Sequence, residues 1–194
     1  MWVLLDTNAY LRLAKRIKPL LGIPFGQKQY TLTILKLVED EVHRNPRLRF
    51  QYPWFDQADL LKERLAKGVR LSAREKAEIA AMVSVLRAHV LENAASYTIH
   101  GRSPPSPADC YCLAFGQVRP GIVATDDLGM HHLGAEFEIP VWHGHELLKK
   151  MHSAKMISNE QVREIFAALE NNDDLPPSWR EARKGAFKKV FGRR

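Results

Sequence analysis

Short continuous apolar runs alternate along this chain with stretches whose apolar residues recur every three or four positions. Trp2–Leu5 is wholly apolar, the pattern of a strand covered on both faces. Residues 7–18 carry Leu11, Leu13, Ala14 and Ile17 at helical spacing. Pro19, Gly22, Pro24 and Gly26 then end the helix and mark a loop. Residues 30–33 predict a second strand, and residues 34–44 a helix closed by Asn45 and Pro46. Residues 57–67 read as helix. Ser72 and Glu75 form a capping box that opens a long helix to about residue 95, with Ile79, Met82, Val83, Leu86 and Val90 as its apolar stripe. Ser106 and Pro107 are start signals for the helix PADCYCLAFGQV. Residues 121–125 predict a third strand, stopped by Asp126 and Asp127 and followed by a short helical turn. A last strand over 139–142, a helix over 145–152 and a helix from Ser158 to about Leu169 follow. Ser178 with Glu181 repeats the capping signal for a tail helix.

Strands that alternate with helices imply an α/β protein, a parallel sheet between two helical layers. The long helices between 45 and 105 read as an insertion into a body spanning 1–150, and 151–194 as a C-terminal helical extension. Residues 47–56, RLRFQYPWFD, mix aromatic and basic side chains. They fit a surface on which bases stack, or a loop that plugs the core edge with Phe50, Trp54 and Phe55, and the core reading is preferred.

A chain of 194 residues suffices for one domain with an appendage. No apolar run approaches the roughly 20 residues of a membrane span. The four-residue opening run, with no basic region ahead of it, reads as a strand rather than a signal peptide. Cys110 and Cys112 would point about 200° apart on a helix, so neither a disulfide framework nor a zinc knuckle follows, and a reducing cytoplasm is the expected location. The net charge of +7 sits almost wholly in the tail, where Arg180, Arg183, Lys184, Lys188, Lys189, Arg193 and Arg194 oppose Glu181. A basic tail on a near-neutral body suits a nucleic-acid partner, and equally a solvated terminus.

The acids recur in one local setting. Asp6 ends an apolar run in WVLLDTN, and Asp126 and Asp127 end another in GIVATDD. Asp109 stands in the first turn of a helix, where the backbone dipole favours an anion. The helix at 34–44 offers Glu39, Asp40 and Glu41. At about 100° per residue, Glu41 falls inside the apolar arc of Leu35, Leu37, Val38 and Val42, whereas Glu39 and Asp40 fall outside it. An acid within an apolar stripe faces the core or a cleft, so Glu41 is the choice and Glu39 the alternative. Carboxylates so crowded need a counter-charge. A hard divalent cation with oxygen ligands, Mg²⁺ or Mn²⁺ before Zn²⁺, would supply it and would suit phosphodiester displacement.

Four stretches in order resemble the PIN-domain nucleases: LLDTN at 4–8, LVEDEVHR at 37–44, PADCYCLA at 107–114 and VATDD at 123–127. The resemblance covers roughly residues 1–145. It implies a three-layer α/β/α fold with a PIN-like central sheet and a Mg²⁺- or Mn²⁺-dependent ribonuclease. The implied catalytic acids are Asp6, Glu41, Asp109 and Asp127, with Asn8 and Thr125 as polar helpers and Asp126 as an alternative metal ligand beside Asp127. Many members of that family are toxins of toxin–antitoxin pairs, the VapC-like group, often dimeric and inhibited by a small antitoxin. The segment 45–105 and the extension from about 152 exceed a minimal toxin, so a stand-alone RNA-processing protein is also open.

Two other readings compete. One is a PIN-like module that binds RNA or a protein without cutting. The other is a phosphatase of the haloacid dehalogenase type, which wants a second Asp where this chain has Asn8. His131, His132, His143 and His145 are read as surface or loop histidines, because no third ligand stands out.

Overall fold

The computed structural model describes residues 1–99 and 103–192. Arg193 and Arg194 of the basic tail, and residues 100–102, lie outside the described residues. The centre is a five-stranded sheet of order β2-β3-β1-β4-β5. Its strands are β1 (Trp2–Leu5), β2 (Pro24–Phe25), β3 (Tyr30–Thr33), β4 (Gly121–Ala124) and β5 (Val141–Trp142). All pairings are parallel except the edge pair β2–β3. In register, Val3 lies opposite Leu32 and Ile122, and Ala124 opposite Trp142.

Side chains of a strand alternate between faces, and here each face has its own core. Val3, Leu5, Ile122 and Ala124 point into one, Leu4 and Val123 into the other. The first core is covered by α1 (Thr7–Leu13), α2 (Lys36–Arg44), α9 (Gly144–Ser153), α10 (Asn159–Asn171), α11 (Pro177–Lys184) and α12 (Lys188–Phe191). The second is covered by α5 (Ala73–Glu92), α7 (Pro107–Val118) and α8 (Leu128–Glu136). The remaining helices are α3 (Pro46–Gln51), α4 (Ala58–Lys67) and α6 (Ala94–Thr98). The result is a three-layer α/β/α arrangement, as the alternation of elements predicts.

Several local expectations need correction. The helix over 7–18 is regular only to Leu13, with single turns continuing to Ile17, whose N–H still reaches the Leu13 carbonyl at 3.0 Å. The loop after it contains β2, because Pro24 and Phe25 pair with Thr31 and Tyr30. The long helix ends at Glu92, where Asn93 caps it and α6 begins. Asn45 and Pro46 close α2 but also open α3: Asn45 Oδ1 accepts the N–H groups of Arg47 at 3.0 Å and Leu48 at 3.3 Å. Trp54 and Phe55 enter the core as expected, while Phe50, on α3, is 88% exposed. Ser178 is not a cap, since α11 starts at Pro177 with Pro176 in the cap position.

The C-terminal helices are packed rather than frayed. Phe166, Trp179 and Phe187 are fully buried in the same core as Val3 and Leu5. Trp179 and Phe187 meet the Phe166 ring at 5.2 and 5.4 Å between centroids. Among the described residues no helix is long and apolar enough to cross a membrane.

Candidate active site

The carboxyl ends of β1 and β4 lie side by side, and the Asp6 N–H donates to the Ala124 carbonyl at 3.1 Å. Asp6 therefore leaves the sheet next to Thr125. Its Oδ1 caps α1 by accepting the Ala9 N–H at 2.5 Å, and its Oδ2 accepts the Thr125 hydroxyl at 2.5 Å. Both interactions favour the carboxylate, yet burial outweighs them and pushes its pKa up to about 7. The Thr125 Oγ1 also accepts the Asp127 N–H at 3.1 Å, so one hydroxyl links the two strand-end acids. Asp127 caps α8 by accepting the Met130 N–H at 2.8 Å.

Glu41 comes from α2, and its Oε2 accepts the Thr7 hydroxyl at 2.6 Å. Asp109 closes a capping box at the start of α7, where its Oδ2 accepts the Ser106 N–H at 2.7 Å and its own N–H donates to Ser106 Oγ at 3.2 Å. Burial raises the Asp109 pKa, and the charges of Asp127 and Glu41 add to the rise. Burial also lifts the Cys112 thiol, and Asp6, Asp109 and Glu41 push it further. Asp6, Glu41, Asp109 and Asp127 are thus electrostatic neighbours at one edge of the sheet. They are not drawn tight. Among the described residues, the group of three acid or imidazole ligand atoms within 4.8 Å of one another is Asp126, His143 and His145.

The two alternative acids are engaged by other partners, although the Asp126 charge also raises Asp6. Glu39 is turned toward α4, where its Oε1 accepts from Arg64 Nε at 2.9 Å. Arg64 is itself buried, over the Phe55 ring at 3.8 Å. Asp126 is a structural hub: its Oδ2 accepts from Arg12 at 2.7 Å and from the Trp179 indole at 2.9 Å, and its Oδ1 accepts the Gly144 N–H at 3.1 Å. Burial works against its charge, but His143, Arg12, Trp179 and Gly144 hold its pKa below the ordinary value.

Asn8 is exposed and lines a cleft of about 320 Å³ with Arg12, Asp126, Asp127 and residues 173–176. Glu41 forms part of the wall of a second groove, of about 500 Å³, beside Arg44, Pro46 and Ala108. Of the tail cations, Arg183 pairs with Glu170 and covers the Phe191 ring at 4.6 Å, and Lys184 pairs with Glu181 at 3.3 Å. Arg180, Lys188 and Lys189 are exposed.

Sequence reasoning missed Thr7, Arg12, Asp174 and Trp179. Arg12 joins Asp126 to Asp174, with its NH2 2.7 Å from the Asp174 carboxylate. Its signal was a lone cation among Leu11, Leu13 and Ala14. Thr7 was visible as the middle residue of DTN.

No family model matches the chain. No curated protein matches it either. Among solved structures it is similar to FitAcB from Neisseria gonorrhoeae, at 16% identity and a TM-score of 0.44, over 73% of this chain and 97% of that one. A likeness of this degree is one of outline, and no chemistry follows from it.

Proposed function

We propose that this protein is a divalent-cation-dependent endoribonuclease of the PIN type. The observation that carries the reading is the convergence of Asp6, Glu41, Asp109 and Asp127, from four separate stretches of chain, on the carboxyl edge of a parallel sheet. That edge is where open α/β sheets keep their ligands. The donor set is all oxygen; burial raises Asp6, with the Asp126 charge adding, and burial with the charges of Asp127 and Glu41 raises Asp109, so a hard cation fits it. Asp6, Asp109 and Asp127 would hold Mg²⁺ or Mn²⁺. Such an ion, when bound, supplies a lowered water pKa and charge stabilisation at phosphate oxygens.

The chain's own groups do the rest. Thr125 keeps Asp6 oriented while it fixes the backbone at Asp127. Thr7 holds one oxygen of Glu41 and leaves the other to orient the attacking water and receive its proton. Asn8 donates to a phosphate oxygen at the mouth of the cleft. The exposed Arg180, Lys188 and Lys189 offer charge to the RNA backbone. On the same reading, a small antitoxin and a second copy of the chain are the protein partners to seek.

Purified protein and a mixed single-stranded RNA test this, with Mn²⁺ and with EDTA, beside Asp6→Asn. Cleavage that requires the metal and disappears in the variant is expected. RNA binding without cleavage by the folded protein would favour the binding-module reading.

A further inference from the structure

His143 and His145 follow β5 directly, in WHGH. Because Ala124 pairs with Trp142 in parallel, the chain beyond each strand leaves the sheet side by side, with the Thr125 N–H donating to the Trp142 carbonyl at 2.9 Å. This sets two imidazoles against Asp126. One ligand atom from each of the three lies within 4.8 Å of the others. His143 Nδ1 stands 3.6 Å from Asp126 Oδ1. Adjacent donors on a tetrahedral Zn²⁺ are about 3.3 Å apart, given metal–ligand bonds near 2.0–2.1 Å.

A second observation points the same way. The Nδ1 atoms of His143 and His145 are both buried without a hydrogen-bond partner among the described residues. Buried polar atoms left so are costly. Asp126 lies close enough to attract His143 but, at 3.6 Å from its Nδ1, too far for a hydrogen bond. The rings of His143 and His145 stack at 5.3 Å, and His131 stacks on His143 at 3.7 Å. Arg12 is one guanidinium against two carboxylates, Asp126 and Asp174, so an excess of negative charge remains beside the rings. Gly144, between the histidines, is needed for this approach: a Cβ there would lie 2.8 Å from the Trp179 ring and 2.9 Å from Asp126 Oδ2.

We propose that Asp126, His143 and His145 form a transition-metal site of the zinc class, distinct from the four-acid set. Mixed nitrogen and oxygen donors select Zn²⁺ or a similar borderline ion over Mg²⁺. Three protein ligands leave one position for water. Arg12 and Trp179 support the ligating carboxylate from its far oxygen, the role that outer partners play at metal sites. The ion fastens the end of β4 to the start of α9, next to Thr125 and Asp127. This does not depend on the nuclease reading.

The test uses full-length, tag-free protein stripped with chelator. Zn²⁺ is titrated calorimetrically near neutral pH, and Co²⁺ is followed by its visible absorption. One Zn²⁺ per chain with submicromolar Kd is expected, together with intense Co²⁺ bands of low coordination number and no competition from millimolar Mg²⁺. His143→Gln and His145→Gln should each weaken Zn²⁺ by about 10- to 100-fold, while Asp109→Asn leaves it unchanged. Folded, stripped protein that binds no Zn²⁺ at micromolar concentrations would overturn the proposal, as would binding that survives both histidine substitutions.

Discussion

Asp6 does two jobs that conflict. It caps α1 and it stands buried at the candidate site, with its pKa raised to about 7. An aspartate with an unfolded pKa near 3.8 binds its proton more tightly in the folded state. Its contribution to stability is therefore full below about pH 4 and is lost as pH rises to about 7. The loss amounts to about 4 kcal/mol at most. Asp6→Asn, which is neutral throughout, should gain in Tm relative to wild type between pH 5 and pH 8 in metal-free buffer. Added Mn²⁺ should raise the wild-type Tm more at pH 8 than at pH 5. Thermal melts at the two pH values check both.

Residue identity made some of this legible in the sequence. Asp6 and Asp127 announce themselves by breaking apolar runs and Asp109 by its place after Ser106 and Pro107, whereas the apolar arc of α2 misjudges burial, since Glu41 is exposed and Glu39 and Asp40 are half-buried. The occupation of Glu39 and Asp126 was not legible, because their partners Arg64 and Trp179 lie 25 and 53 residues away.

Among the elements, those with local stop and start chemistry were read most closely. The capping boxes at Ser72, Ser106 and Ser158 each open a helix where the sequence places it. α3 escaped because Asn45 and Pro46 terminate one helix and begin the next, and the sequence reads them only as a terminator. β2 escaped because two residues opposite β3 carry no periodicity at all. On the nuclease reading the cap of α7 also has a functional side, since Ser106 holds both the helix start and the Asp109 carboxylate. Ser106→Ala should cost about 1 kcal/mol of stability. On the nuclease reading it should also lower metal-dependent cleavage several-fold. Denaturant melts and cleavage rates measured on the same preparation separate the two effects.

At the scale of the whole molecule, the alternation of strands and helices predicts the layers, and the sheet order brings Asp6 and Thr125 together as neighbours 119 residues apart. What the alternation could not show is how the last forty residues return to the start. Arg12 and Asp174 meet across 162 residues, and Trp179 reaches Asp126 from α11. Such contacts have no local period to reveal them. Trp179→Ala empties a fully buried ring site and removes a donor from Asp126, so a loss of about 3–5 kcal/mol is expected in denaturant melts. The outer face of the same helices is a separate matter. Replacing exposed Lys188 and Lys189 by Gln should leave Tm unchanged and flatten the salt dependence of single-stranded RNA binding by about 1.4 units of slope.

On the proposed function, Asp6, Glu41, Asp109 and Asp127 act as one acid set. Single-turnover cleavage of RNA with Mn²⁺ tests it most directly, comparing Glu41→Gln and Asp109→Asn with Asp40→Asn, which alters an acid of the same helix outside the set. The first two should lose about 100-fold or more in rate while keeping the wild-type Tm within a few degrees, and Asp40→Asn should stay within a few-fold of wild type. Equal rates for all three variants, in folded protein that cleaves, would contradict it.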